Sequence, residues 1–316
     1  MKRFWVIFYF LLIALPGLAG VVHFQLSDKK IKLSQHLANR FPPRLYFRSL
    51  NNKIQGDLLG GRNLGNVHRG KNDWLFYMTR SDGNANNDFW AIPSPNVVAR
   101  MSEYVQKNIE HPFCLDAAYL LVVTPNKETI YPENTFYPFI SLIPKERGNY
   151  QQVYAMLMRD YSNNNVDLAP ILESKKTEGD TYFPRDTHWT SWGVYWAHQE
   201  ILRKVGELLH THYKPMDHAL PESKDHEDDL TLMLQEWKSS PPESTYSVHL
   251  NPQGQKTVLF IGDSFRTGLM PYLPYYFKKT IFVHRNDKGA LKRAIEEHGT
   301  PDLVIDQFAE RYLGSK

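Results

Sequence analysis

The segment FIGDSF, Phe260 to Phe265, closes a run of apolar residues with a glycine, an acid, a hydroxyl and an aromatic ring. Ser264 therefore stands where a buried strand gives way to a turn. A serine hydroxyl is a weak nucleophile by itself. It needs a base to take its proton and a carboxylate to hold that base in the right tautomer. Both occur in FPRDTHWTSWG, where Asp186 and His188 are two residues apart. In an extended segment such residues point to the same side. Asp186 then accepts from one ring nitrogen while the other faces Ser264. On this reading Ser264 is the nucleophile, His188 the general base and Asp186 its orienter. Each motif alone has an ordinary explanation, since Asp-x-His before a capped helix and GDS are both common in hydrogen-bonded turns. Their pairing on one chain makes the catalytic reading the stronger. Asp263 is expected to accept backbone N–H bonds in the turn that presents Ser264. An oxyanion needs preorganised donors; the Ser264 N–H is one, and Asn126, Lys127 and Arg266 are candidates for a second.

These side chains need a frame. TVLFI, TIFVH and DLVIDQF read as strands, and KGALKRAIEEHG as a helix ending at Gly299. AAYLLVVTP reads as a further buried strand ending near Pro125. Strands alternating with helices favour a parallel sheet covered on both faces, and such sheets carry their sites at the carboxyl ends of the strands. Thr190 or Ser191 can cap a helix running to Leu209, with Trp192, Trp196, Ile201, Val205 and Leu208 on its apolar face. Val97, Met101 and Val105 mark another helix after Ser94-Pro95, and Tyr150, Val153 and Leu157 a third. GKNDWLFY is a turn entering a short strand, and VDLAPIL a short strand or turn. Residues 213–256 are polar and Pro-rich, an insertion with one short helix whose acidic run ESKDHEDD reads as a solvated loop.

Length and composition set bounds. The 316 residues, 42% of them hydrophobic, suffice for one large α/β domain or two average ones. A net charge of +3 is small for this length and does not argue for nucleic acid, which would want a clustered basic face. The single cysteine, Cys114, reads as a buried thiol and allows neither an intrachain disulfide nor a cysteine zinc site. His210, His212, His218 and His226 lack helical ligand spacing, no HExxH occurs, and no metal site is expected. GxGxxG and P-loop patterns are missing as well, so no cofactor is expected. Lys2 and Arg3 precede the apolar run Phe4 to Val22, the pattern of an export signal or a membrane anchor. Residues 1–26 are therefore set apart from a domain over 27–316, which is exported in either case.

FIGDSF resembles the first block of the SGNH, or GDSL, hydrolase superfamily. In most of that superfamily the acid and histidine follow the serine. Here Asp186-x-His188-Trp189 precedes it, an order that resembles the alginate O-acetyltransferase family of the AlgJ/AlgX type. GKNDWLFY is similar to that family's early Trp-Leu-Phe segment. VVTPNKETIYPE is similar to its Pro-x-Lys-x-x-x-Tyr segment, carried by Pro125, Lys127 and Tyr131. LVIDQFAERYL is similar to its late strand and Glu-Arg pair, Glu310 and Arg311. The residues after Arg311 are too few for the carbohydrate-binding module of AlgX-type members, so the shorter AlgJ type is the nearer match.

The resemblance implies a three-layer α/β/α, SGNH-hydrolase-like domain with a mainly parallel central sheet. It implies an exported enzyme that moves acetyl groups onto hydroxyls of an exopolysaccharide, alginate-like in kind, through an acetyl-serine. A membrane-bound acyltransferase would supply the acetyl groups. The location would be the periplasm, with attachment to the inner membrane if the N-terminal segment is uncleaved. Lys127, Tyr131, Arg185, Trp189 and Arg266 are the candidates for substrate binding; Trp192 is expected to pack in the core. Two other functions fit the same residues: a carbohydrate esterase that uses water as acceptor, and a non-catalytic scaffold of a polysaccharide secretion complex.

Overall fold

The computed structural model describes residues 63–64, 67–77, 95–135, 149–221, 228–235 and 246–315. The N-terminal apolar run and the cysteine side chain lie outside them. Among the described residues no helix is long and apolar enough to cross a membrane. Two compact units divide the chain: Met1–Gly65 with Leu232–Lys238, and Asn66–Thr231 with Ser239–Lys316. The first contributes a two-residue strand, Asn63–Leu64, and the helical residues 232–235 to the described part. The second holds the central sheet and the site.

Its first element is a hairpin of β1 (Val67–Arg69) and β2 (Leu75–Tyr77), antiparallel with His68 opposite Phe76. The connecting turn takes Asn72 and Asp73 to φ 52° and 63°, a region these short polar residues tolerate. Helix α1 (Pro95–Glu110) follows, burying Val97, Met101 and Val105 at the spacing of one helical face. Strand β3 (Ala118–Thr124) is buried from Tyr119 onward.

Helix α2 (Asn149–Asp160) leads to β4 (Asn165–Asp167), α3 (Ala169–Lys175) and the long α4 (Ser191–Leu209). VDLAPIL is thus a strand and the start of a helix. Pro170 falls in the first turn, where its missing N–H costs nothing, and Asp167 Oδ1 accepts the Ala169 N–H at 3.0 Å.

A short α5 (Asp229–Gln235) precedes β5 (Ser247–Leu250), β6 (Thr257–Gly262), β7 (Lys279–His284), α6 (Lys288–His298) and β8 (Leu303–Ala309). The sheet order is β4-β3-β8-β6-β7-β5. All neighbours are parallel except β5, which runs antiparallel to β7 along one edge. The helices pack as α1 with α2 and α3 with α4, with α1, α2, α4 and α6 against the strands. The result is the expected α/β/α arrangement around a mainly parallel sheet.

Strand β5 corrects the reading of residues 213–256 as an insertion without sheet structure. Its apolar residues Val248 and Leu250 are exposed while Ser247 and His249 are half-buried. An edge strand with its apolar side outward inverts the alternation that normally reveals a half-buried strand.

The crossovers from β3 to β4 and from β6 to β7 leave in opposite directions, and β8 fills the space between. The carboxyl ends of β3, β8 and β6 thus form the switch point at which an open α/β sheet places its ligand site.

Candidate active site

Ser264 lies two residues beyond the carboxyl end of β6, in the turn before a short helical segment, Arg266–Leu269. Gly262 permits the turn: a Cβ there would stand 2.7 Å from Gln307 Oε1 and from the Phe260 ring, and 2.8 Å from Arg266 Cβ. Asp263 is fixed by its acceptors. Oδ1 takes the Phe265 N–H at 3.0 Å and Gln307 Nε2 at 3.0 Å, and Oδ2 takes the Ala309 N–H at 2.7 Å. Gln307 Oε1 accepts the Asp263 N–H at 3.1 Å. These bonds tie the end of β6 to β8, so Asp263 has the structural role expected of it. Ser264 itself is exposed. Its N–H forms no hydrogen bond with any described residue, and it is free to meet a developing oxyanion.

The partner segment is a loop closed on itself rather than an extended strand. Tyr182 and Trp189 bridge antiparallel, with Phe183 N–H on the His188 carbonyl at 3.1 Å and Thr190 N–H on the Thr181 carbonyl at 3.1 Å. At its tip Asp186 Oδ1 accepts the His188 backbone N–H at 2.7 Å, which folds the two side chains onto each other. Thr190 then caps α4, accepting the Gly193 N–H at 3.1 Å. Lys127 holds the loop from below. Its ammonium donates to the carbonyls of Phe183 (3.0 Å), Pro184 (3.1 Å) and Asp186 (2.8 Å). Burial pushes that ammonium down to about 8, against the pull of nearby carboxylates.

These two turns bring the three side chains into line. His188 Nδ1 lies 2.6 Å from Asp186 Oδ1, and His188 Nε2 lies 2.8 Å from Ser264 Oγ. With Nδ1–H donating to the carboxylate, Nε2 presents its lone pair to the serine hydroxyl, which donates to it. Phe265 backs the imidazole at 4.9 Å between ring centres. Burial disfavours the charged form of His188, but the Asp186 hydrogen bond and the charges of Asp186 and Asp229 outweigh burial and an opposing Arg311; the net direction is upward. Burial would also raise Asp186. Bonds from the His188 ring and from the Asp229 and His188 backbone hold it down to about 2.

Asp229 is the residue that sequence reasoning missed. It ends the acidic run read as a solvated loop, yet it packs against the relay. Its N–H donates to Asp186 Oδ2 at 2.8 Å, and its carboxylate accepts the Thr187 N–H at 2.8 Å and the Thr187 hydroxyl at 2.5 Å. The adjacent acids and polar context give this position the signature of a surface loop, and no local pattern points 43 residues back to Asp186. Asp186, His188 and Asp229 each bring one ligand atom within 4.8 Å of the others, as a metal cluster would. Those groups are already engaged in the hydrogen bonds of the relay, which an ion would have to displace.

The relay opens onto a cavity of about 630 Å³ whose lining includes Phe183, Trp189, Val194, Leu220, Pro271 and Tyr272. Of the five substrate-binding candidates, Trp189 lines it; it is buried, with its indole N–H unpaired. The other four are not among the described residues of the lining. Lys127 serves the loop. Tyr131 is buried beneath it, its ring tilted against Trp74 with centres 4.3 Å apart, and its hydroxyl accepts the Thr181 N–H at 2.8 Å. Arg185 is exposed and paired with Asp73 at 3.1 Å. Arg266 is buried, with one nitrogen on the Asp263 carbonyl at 3.3 Å. Asn126 donates its N–H to Glu310 at 2.8 Å, which fastens the end of β3 to the residues after β8. Trp192 is half-buried, stacked on Tyr195 at 5.9 Å, with its indole donating to the Lys175 carbonyl at 3.3 Å.

A family model described as "SGNH hydrolase-like domain, acetyltransferase AlgX" matches residues 67–308. The chain belongs to this family. The chain is similar in structure to the O-acetyltransferase domain of Pseudomonas putida AlgJ, with 19% identity, TM-score 0.47, and coverage of 79% of this chain and 93% of that one. It is similar to Bacillus cereus PatB1 with a sulfonyl adduct, at 13% identity and TM-score 0.45, over 78% and 97%. It is also similar to Pseudomonas aeruginosa AlgX, at 12% identity and TM-score 0.43, over 80% and 63%. No curated protein matches. In this AlgX-family chain the matched span begins in the β1 hairpin and ends in β8, so it contains Asp186, His188, Asp229 and Ser264.

Proposed function

We propose that the chain is an exported O-acetyltransferase acting on the hydroxyls of an exopolysaccharide, alginate-like in kind, through an acetyl-serine. The observation that carries the reading is the preformed relay from Asp186 through His188 to Ser264, with separations of 2.6 and 2.8 Å, in an AlgX-family chain. Neutral His188 takes the Ser264 proton as Oγ attacks the acetyl carbonyl. The Ser264 N–H meets the oxyanion. His188 passes its proton to the leaving group. A sugar hydroxyl then enters and gives its proton to Nε2 as its oxygen bonds to the acetyl carbon; the bond from that carbon to Ser264 Oγ breaks, Oγ takes the proton back from Nε2, and the sugar carries the acetyl away, which implies ping-pong kinetics. Trp189 offers the acceptor an apolar wall.

Export is supported by the basic start and apolar run of residues 2–22. On this reading the reaction lies in the periplasm, held at the inner membrane if that segment is retained. Cytosolic acetyl donors are then out of reach, and a membrane-bound acyltransferase is the proposed source. An esterase is the second reading, because Ser264 is exposed and water would reach an acetyl-serine. A scaffold would not need the three aligned side chains.

The test is acetyl transfer from an activated acetyl ester to polysaccharide oligomers, followed by mass spectrometry, with Ser264→Ala as control. Acetylated oligomers that depend on Ser264 are the expected result. Ser264-dependent acetate with bare oligomers across several polymers would assign an esterase. Equal turnover by Ser264→Ala would remove the serine from the chemistry.

A further inference from the structure

We propose that Asp229 is a positioning residue of the relay, a second carboxylate that clamps the Asp186–His188 turn and stabilises the imidazolium formed when Ser264 attacks. The inference rests on the serine chemistry proposed above.

The geometry has two parts. The first is mechanical. Asp229 reaches the turn from a distant segment and holds both residues that precede the imidazole: its N–H bonds Asp186 Oδ2 at 2.8 Å, and its carboxylate accepts the backbone N–H and the hydroxyl of Thr187 at 2.8 and 2.5 Å. Asp186 Oδ1 is left to receive the ring and backbone N–H of His188 at 2.6 and 2.7 Å. One residue therefore fixes which Asp186 oxygen faces the ring.

The second part is electrostatic. Asp229 Oδ2 lies 3.7 Å from His188 Nδ1. That is too long for a hydrogen bond and close enough for strong charge interaction in a half-buried site. The Thr187 hydroxyl, 3.3 Å from Nδ1, sits beside both groups. With a neutral imidazole the two carboxylates repel each other, and burial and the Asp186 charge together raise Asp229 from its ordinary value. During attack the Ser264 hydroxyl proton moves to His188 Nε2 while Oγ bonds to the acyl carbon; collapse returns that proton to the leaving group. The cluster carries two negative charges before this transfer and one after it. Both anions are thus in place for a positive charge that exists only along the reaction path, which is where an interaction accelerates the chemistry. The other charges that act on the cluster are Arg311, which opposes the imidazolium, and the buried Lys127 ammonium, drawn to Asp186, Asp228 and Asp229.

The test uses full-length protein and p-nitrophenyl acetate, reading single-turnover acetylation of Ser264 against pH for wild type and Asp229→Asn. Removal of the charge is expected to move the acid limb down by about one pH unit, a tenfold change in proton affinity. The plateau rate falls about tenfold at the same time. A lower rate with an unmoved limb would reduce Asp229 to a structural clamp and overturn the electrostatic proposal, as would no change in either. A second measurement needs no variant: the His188 ring titration by NMR in wild type. A value above about 6.5 is expected, and one at or below it overturns the proposal. The titration also separates this failure from that of the catalytic reading, in which Ser264→Ala would acetylate as wild type does.

Discussion

Replacement of Lys127 by methionine tests whether the buried ammonium serves the loop or the substrate. The side chain is 3% exposed and spends its donors on three carbonyls of the segment that carries Asp186. Methionine fills similar space and donates nothing. Phe183 and Pro184 are half-buried, so water can replace the lost donor there; Asp186 is buried, and its carbonyl is left unsatisfied. A hydrogen bond from a charged group contributes about 1.5–3 kcal/mol, and an unsatisfied buried acceptor costs about 1–3 kcal/mol. Relief of the ammonium's own desolvation offsets part of this, since the drop from the ordinary 10.5 to about 8 corresponds to about 3 kcal/mol. The net expectation is a loss of up to about 3 kcal/mol, or a fall in Tm of up to about 10 °C for a domain of this size. Loosening the loop by about 1 Å would lower acylation about a hundredfold. Differential scanning calorimetry and single-turnover acetylation read the two effects. Unchanged Tm with a raised acceptor KM would refute the clamp and return Lys127 to substrate binding.

Two further outcomes follow from the site. Wild-type acylation should rise with pH through a value above about 6.5, because neutral His188 is the proposed base and its neighbours hold its affinity for the proton upward; a limb well below that value would show that Asp186 and Asp229 do not outweigh burial. Gly262→Ala should destabilise the fold by about 1–3 kcal/mol through overpacking, since a Cβ would fall 2.7 Å from Gln307 Oε1 and the Phe260 ring; thermal melts that match wild type would show that β6 and β8 can separate there.

How much of this was legible in the sequence depended on the range of the signal. The strand runs Ala118–Thr124 and Thr257–Gly262 are mostly apolar, Leu303–Ala309 is apolar but for Asp306 and Gln307, and all three read correctly as strands of a mainly parallel sheet. Ser264, His188 and Asp186 were singled out because each sits beside a local punctuation: a strand end, a helix cap, an Asp two residues from a His. The manner of their approach was misread. An extended segment was expected, and an Asp186-centred turn does the work instead. Residues whose roles depend on distant partners carried no local mark. Lys127 drew attention as a cation, but nothing near it in sequence reveals three carbonyl acceptors beyond residue 182. Asp229 looked like one acid among several, and β5 hid behind an outward apolar face.

The clamps explain why an exposed serine need not be a loosely held one. Ser264 is open to solvent because it sits at the rim of the sheet, where strands stop and backbone groups lose their ladder partners. A reactive side chain there must be positioned by other bonds. Asp263 ties its turn to β8 through Gln307 and the Ala309 N–H. Glu310, directly after β8, ties β8 to the end of β3 through the Asn126 N–H and the Thr129 hydroxyl at 2.6 Å. Lys127, in the next turn, ties that end to the loop of Asp186, and Asp229 ties that loop to a fourth segment. The chain of bonds runs from the Ser264 turn through β8 and β3 to the loop of His188, and it consists largely of buried polar groups paired with one another. Such networks are rigid when fully satisfied and costly when broken. Changes at Lys127, Gln307 or Glu310 should therefore lower the rate of acylation while leaving every reacting atom in place, and their effects on the rate should be less than additive, because each loosens the same Ser264–His188 separation.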